Sequence, residues 1–300
     1  MEALPFSARL LYAALWLLGR LPLSALQWLG ERLGTLARWF AIREARVSWR
    51  NLELCFPQMD ADARARLWRW NLAETGKTAL ETARFWTRPA AQNLKLIRKE
   101  HGRERFDAAL ASGRGVIIAA PHLGNWELLN QWLAAQSGLA ILYRPPRQPL
   151  LDALIRRFRA QPGVTQVRAE ASGVRALFKI LKDGGMLGIL PDQQPKRGDG
   201  EFAPFFGIPA LTMTLLPRLA ERTGAVVLCA YAMRLPGHGQ GFEIRIEPAD
   251  DAIADADPVI ATAALNAAME RCIHGAPTQY QWSYKRFTIR PEGEDPPIRY

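Results

Sequence analysis

Histidine and cysteine are scarce in this 300-residue chain, at four and three residues. The cysteines (Cys55, Cys229, Cys272) are scattered, with neither a CxxC pair nor a framework of regular spacings. That excludes a disulfide-stapled fold and points to a reducing compartment, each thiol reading as a small buried hydrophobe. His101, His238 and His274 have no metal-ligand spacing around them, so no metal site is expected. No glycine-rich nucleotide loop and no G-x-S-x-G elbow occur, so no organic cofactor and no acyl-serine intermediate are expected. Acidic residues are outnumbered 29 to 39, a net charge of +10, which favours anionic partners. Zinc-finger spacing and RNA-stacking motifs are lacking, so nucleic acid is not an expected partner; a lipid headgroup surface or an acidic protein is. There is no repeat, low-complexity tract or clear linker, and the 49% apolar content is ample for a core.

The N-terminus also lacks an uninterrupted hydrophobic run. Leu10–Gly19 is apolar, Arg20 breaks it, and Leu21–Gly30 resumes. The total approaches the ~20 residues that span a bilayer, but a central arginine costs about 2.5–3.5 kcal/mol there. Arg20 is too central for a signal-peptide core, and no small-residue cleavage site follows. A membrane anchor over residues 1–40 is expected, in a spanning or an interfacial mode; a buried globular helix is the plainer alternative. Arg32, Arg38, Arg43, Arg46 and Arg50 follow, as on a cytoplasmic flank.

Residues 41–300 read as one catalytic domain. Apolar runs at 115–120, 139–144, 164–168, 186–190, 225–234 and 242–247 are expected strands. They alternate with expected helices at 104–111, 128–136, 150–160, 172–182, 212–223 and 258–274; Asp60–Trp86 reads as one long helix or two short ones, with Asp60 or Asp62 as its cap and Pro89 past its end. A Pro/Gly-rich loop is expected at 195–209. This alternation means an α/β fold with a central, mainly parallel sheet flanked by helices.

The chemistry concentrates at Pro121-His122-Leu123-Gly124-Asn125-Trp126-Glu127, where a strand ends and a helix begins. Histidine is the side chain suited to proton transfer near neutral pH. If the Gly124-Asn125 turn folds Glu127 back onto His122, the carboxylate can fix one imidazole nitrogen and leave the other as a base. A strand-end histidine and a glutamate favoured by the helix dipole is the bland alternative.

Several blocks together resemble one family. They are Asn51-Leu52-Glu53-Leu54-Cys55-Phe56-Pro57, His122-x4-Glu127, Tyr143-Arg144-Pro145, the helix with Arg159, Pro191-Asp192-Gln193, Phe205-Phe206-Gly207 with Thr212, and Gln281-Trp282-Ser283-Tyr284-Lys285-Arg286-Phe287. In order and distance they are similar to the lipid A biosynthesis late acyltransferases (HtrB/MsbB type), within the lysophospholipid acyltransferase superfamily. The resemblance implies an inner-membrane enzyme with its catalytic domain on the cytoplasmic face. It would move an acyl chain from acyl carrier protein to a hydroxyl of a 3-hydroxyacyl chain of a Kdo-lipid A precursor. It implies catalytic roles for His122, Glu127, Arg159 and Asp192. Arg159, or backbone amides near Gly124-Asn125, are candidate oxyanion donors, and Asp192 a brace for Arg159 or another cation. Candidate substrate-binding residues are Arg144, Asn125, Gln193, Lys285 and Arg286, with Arg147, Arg156, Arg157, Lys196 and Arg197 as further counter-charges. Rival readings are a metal hydrolase built on His122, Glu127 and Asp192, a non-catalytic lipid-binding protein, and the same transfer to another glycolipid or lysophospholipid.

Overall fold

The computed structural model describes residues 6–143, 148–293, 298 and 300. The N-terminal apolar segment is not one helix. Helix α1 (Phe6–Leu18) ends before Pro22, and α2 (Leu23–Trp39) leaves at 114° to it. Pro22 fixes the turn, because proline lacks the N–H that would continue the ladder of α1. No single helix among the described residues is long and apolar enough to cross a membrane. Helix α3 (Arg43–Cys55) follows, then the 27-residue α4 (Ala61–Thr87), whose first turn is capped by Asp60 accepting from the Ala63 N–H at 2.7 Å. A short helix α5 (Ala90–Leu94) leads into the sheet.

An unexpected first strand, β1 (Ile97–His101), precedes the expected alternation: α6 (Arg103–Ala111), β2 (Val116–Ala119), α7 (Trp126–Gln136), β3 (Leu139–Tyr143), α8 (Pro149–Arg159), β4 (Val164–Arg168), α9 (Ala171–Lys182) and β5 (Met186–Ile189). A hairpin of β6 (Gly200–Phe205) and β7 (Ile208–Met213) then precedes α10 (Leu215–Thr223), β8 (Val226–Arg234), β9 (Phe242–Pro248) and α11 (Pro258–Gly275). Two expectations are corrected here. The Pro/Gly-rich 195–209 stretch holds most of an antiparallel two-stranded sheet, and the helix expected from Thr212 starts at Leu215 because β7 takes Thr212 and Met213.

Seven strands form the central sheet in the order β1-β9-β8-β2-β5-β3-β4, parallel except for the β8–β9 pair. The four residues of β2 are all buried, as a strand covered on both faces should be. Their alternation divides the core. Val116 and Ile118 pack with Phe106, Trp132 and Phe242 on one side; Ile117 and Ala119 pack with Leu187, Tyr231 and Leu265 on the other. Each fully buried aliphatic chain of this kind stabilises the fold by about 1.5–3 kcal/mol. Cys55, Cys229 and Cys272 are buried and unpaired.

Helices α2 and α4 meet backbone to backbone. A Cβ on Gly34 would stand 2.2 Å from the Leu72 carbonyl oxygen, and one on Gly76 2.0 Å from that of Gly30. Only glycine permits this approach.

Candidate active site

β2 and β5 are hydrogen-bonded neighbours, with Ala119 opposite Ile189. Three residues beyond each of these positions stand His122 and Asp192. The sheet therefore brings them together at the carboxyl ends of parallel strands, where open α/β sheets bind ligands. His122 Nδ1 donates to Asp192 Oδ1 at 2.7 Å, and the His122 backbone N–H donates to Oδ2 at 2.8 Å. Burial pushes the Asp192 carboxyl upward, but the facing His122 charge and these hydrogen bonds outweigh it and hold Asp192 below the ordinary carboxylate range. With Nδ1–H committed to Asp192, Nε2 keeps its lone pair. It receives the Gln193 side-chain amide at 3.2 Å, and the same amide donates to Gln281 Oε1 at 3.2 Å.

Glu127 does not contact the imidazole, which corrects the expected His122–Glu127 hydrogen bond. Its carboxylate lies in the first turn of α7 and accepts from both Nε (3.3 Å) and Nη2 of Arg159, the last residue of α8. Burial lowers the pKa of that guanidinium, and the Glu127 charge more than reverses this, so Arg159 is held ionised. Asp192 braces His122, and the bracing of Arg159 expected of it falls to Glu127. A metal centre on the His122 imidazole and the Glu127 and Asp192 carboxylates is not assembled, since Glu127 is turned to Arg159. Among the described residues no group of three His, Cys, Asp or Glu side chains could hold a metal ion.

The loop from His122 to Asn125 is fastened on every side. The Gln281 N–H donates to the His122 carbonyl (2.9 Å), the Gly124 N–H to the Gln279 carbonyl (3.1 Å), and the Asn125 N–H to the Ala232 carbonyl (2.9 Å). Gly124 has φ +63°, and a Cβ there would fall 2.0 Å from the Ala232 oxygen, so the position requires glycine. Asn125, expected to touch substrate, is instead the N-cap of α7. Its Oδ1 accepts from the Leu128 N–H (3.3 Å), and its Nδ2 donates to the fully buried Glu81 (3.1 Å). Glu81 also receives Gln27 Nε2 (2.7 Å) and Arg234 Nε (2.6 Å), and Arg234 pairs with Glu74 as well. Burial lowers the pKa of Arg234, but the two carboxylates override it.

A cavity of about 750 Å³ opens beside the pair. His122, Trp126, Arg159 and Gln193 line it together with Leu142, Val174 and Phe178. Trp126 meets the His122 ring edge-on, 5.2 Å between centroids. The lining joins an imidazole, a guanidinium and several apolar side chains. Of the other expected substrate contacts, Arg144 and Arg147 lie outside the described residues. Arg286 is buried and faces away from the cavity, donating to the Leu211 carbonyl (2.5 Å) and Thr212 Oγ1 (2.9 Å) over the Phe205 ring, and so fastens the C-terminal block to β7. Burial lowers its pKa. Lys285 lies over the Tyr300 ring at 5.4 Å and is not part of the cavity wall. Lys196 does line the cavity, as do Arg218 and Arg222, which the sequence reading passed over. Their spacing of four on α10 puts both on one helical face, a signal available once that helix is assigned.

A family model described as bacterial lipid A biosynthesis acyltransferase matches residues 6–288. The chain is 32% identical over 291 residues to the lipid A biosynthesis lauroyltransferase of Escherichia coli K12, covering 95% of this chain and 92% of that one. It is 29% identical over 280 residues to the lipid A biosynthesis palmitoleoyltransferase of the same organism, covering 93% and 90%. A phosphatidylinositol mannoside acyltransferase of Mycobacterium tuberculosis H37Rv is 29% identical over 175 residues, 54% of each chain.

Proposed function

The chain belongs to the bacterial lipid A biosynthesis acyltransferases, and from that premise we propose how it carries out acyl transfer. It is an acyltransferase of lipid A biosynthesis. The donor is a fatty acyl thioester of acyl carrier protein, and the acceptor is a hydroxyl on a 3-hydroxyacyl chain of a Kdo-lipid A precursor. The enzyme works at the cytoplasmic face of the inner membrane, against which its N-terminal helices lie.

The observation that carries the reading is the 2.7 Å bond from His122 Nδ1 to a buried aspartate, with Nε2 on the cavity wall. A hydroxyl needs a base to attack a thioester. His122 Nε2 takes the hydroxyl proton as the oxygen attacks the thioester carbonyl carbon. Asp192 fixes the tautomer and stabilises the imidazolium that forms, the role of a buried carboxylate behind a catalytic histidine. The tetrahedral oxyanion is met by Arg159, aimed by Glu127; one such donor is worth about 2.7–4 kcal/mol. Collapse breaks the C–S bond, and the thiolate leaves with the proton from His122. Gln193 gives up its hydrogen bond to Nε2 when the hydroxyl arrives. The apolar wall of Leu142, Val174 and Phe178 takes the acyl chain.

Purified protein is assayed with acyl carrier protein thioesters and tetra-acylated Kdo-lipid A, with and without chelator. Acylated product that is unaffected by chelator and lost in His122→Ala supports the proposal. Normal turnover by His122→Ala removes the base assignment, and loss on chelation revives the metal reading. The same transfer to another glycolipid is the second reading, favoured by the similarity over half the chain to a phosphatidylinositol mannoside acyltransferase. A mannoside acceptor in parallel decides it.

A further inference from the structure

The broken N-terminal segment gives each of its two helices an occupied face and an open one. On the inner side, Tyr12 of α1 stacks on Phe158 of α8 (centroids 5.5 Å apart), and Phe158 stacks on Trp86 of α4 (4.9 Å). Helix α2 is fixed to α4 by the contacts at Gly30, Gly34 and Gly76. The outer sides are apolar and bare: Leu10 and Leu17 on α1, Trp28 and Leu36 on α2. The corner between α2 and α3 is barest, with Trp39 73% and Phe40 76% exposed, and Ile42 beside them is also exposed. Exposed apolar surface this extensive marks a contact with another phase or partner.

Charge selects which one. Residues 6–50 carry seven arginines against two glutamates, a net +5. Arg20 lies over the Trp16 ring at 4.2 Å and Arg32 over Trp28 at 5.4 Å. Arginines at the rim of an aromatic, apolar patch match the headgroup layer of an anionic bilayer: rings enter the acyl boundary while guanidinium groups meet phosphate.

Geometry decides the mode. The 13 residues of α1 rise about 20 Å, short of the ~30 Å hydrocarbon core. Helix α2 departs at 114° and cannot prolong it without tearing its glycine contacts from α4. We propose that the outer faces of α1 and α2, with the Trp39–Ile42 corner, seat this chain in the interface of an anionic bilayer without crossing it. This rests on the membrane assignment made above and specifies its mode.

The test uses the full chain added to preformed phosphatidylglycerol/phosphatidylethanolamine vesicles. Arg9→Cys and Arg20→Cys are each treated from outside with an impermeant maleimide, the native thiols being buried. Both positions are expected to label. Trp39→Ser with Phe40→Ser lowers vesicle binding about tenfold. Arg32→Gln with Arg38→Gln and Arg43→Gln lowers it about a hundredfold at physiological salt. Position 9 protected until detergent is added, with position 20 labelled, indicates a broken span and overturns the interfacial mode while leaving membrane association standing. Equal binding to neutral vesicles overturns the anionic-lipid assignment. Failure to bind any vesicle overturns the inference and the membrane assignment together.

Discussion

His122 and Asp192 are joined twice, ring to Oδ1 and backbone N–H to Oδ2, so one carboxylate fixes both the rotamer and the backbone of the histidine proposed as base. Asp192→Asn keeps the shape and loses the charge behind the imidazolium. It is expected to lower kcat by roughly 10²–10⁴-fold with KM little changed. Steady-state kinetics on the variant check this; a kcat within threefold of the parent removes Asp192 from the mechanism.

Glu127 and Arg159 form one ion pair and are expected to act as one unit. Glu127→Gln and Arg159→Lys should each lower kcat, because the lysine ammonium cannot reproduce a two-nitrogen contact. The double variant should be little worse than the worse single, a coupling of about 0.5–3 kcal/mol. Strictly additive losses in a double-mutant cycle would show that the two act independently.

Asp192 also sets an acid limit on stability. Its pKa is depressed in the folded state, so the unfolded chain binds the proton first as pH falls. Its contribution is complete above the unfolded value near ~4 and is lost as pH drops through the folded one. Melting temperature followed from pH 6 to pH 3 should fall more steeply for the parent than for Asp192→Asn. Parallel curves would contradict the assignment.

Two glycines should be intolerant for different reasons. Gly34→Ala forces α2 from α4, costing about 1–3 kcal/mol of overpacking, and is read as a lower melting temperature. Gly124→Ala strains a left-handed backbone beside the base and should depress kcat further than its effect on stability accounts for. Equal kinetic effects from both would undo this distinction.

Much of this was legible in the sequence, for local reasons. Val116–Ala119 announces a buried strand, and Pro89 after an aspartate at 60 or 62 brackets α4, the cap falling to Asp60. Strand β1 escaped because Arg98, Lys99, Glu100 and His101 read as solvated; it is an edge strand, where charge is tolerated. The β6–β7 hairpin escaped because Pro204, Gly207 and Pro209 signal loop, yet the two prolines face each other in register. Glu127 was given the wrong partner because H-x4-E spacing speaks only of neighbours in sequence. That β5 lies against β2, with β3 and β4 placed beyond it, is a property of strand order, and Asp192 reaches His122 only through it. The pairs Arg159–Glu127 and Glu81–Asn125 likewise span 32 and 44 residues.

The placement of β2 beside β5 has a kinetic side. Base and carboxylate come from separate crossovers 70 residues apart, so neither stretch of chain owns a working centre. An incompletely zipped sheet holds an unactivated histidine. On the proposed mechanism a nascent or partly melted copy would be inert toward acyl thioesters, and loss of turnover on heating should coincide with the cooperative melting of the sheet, not precede it.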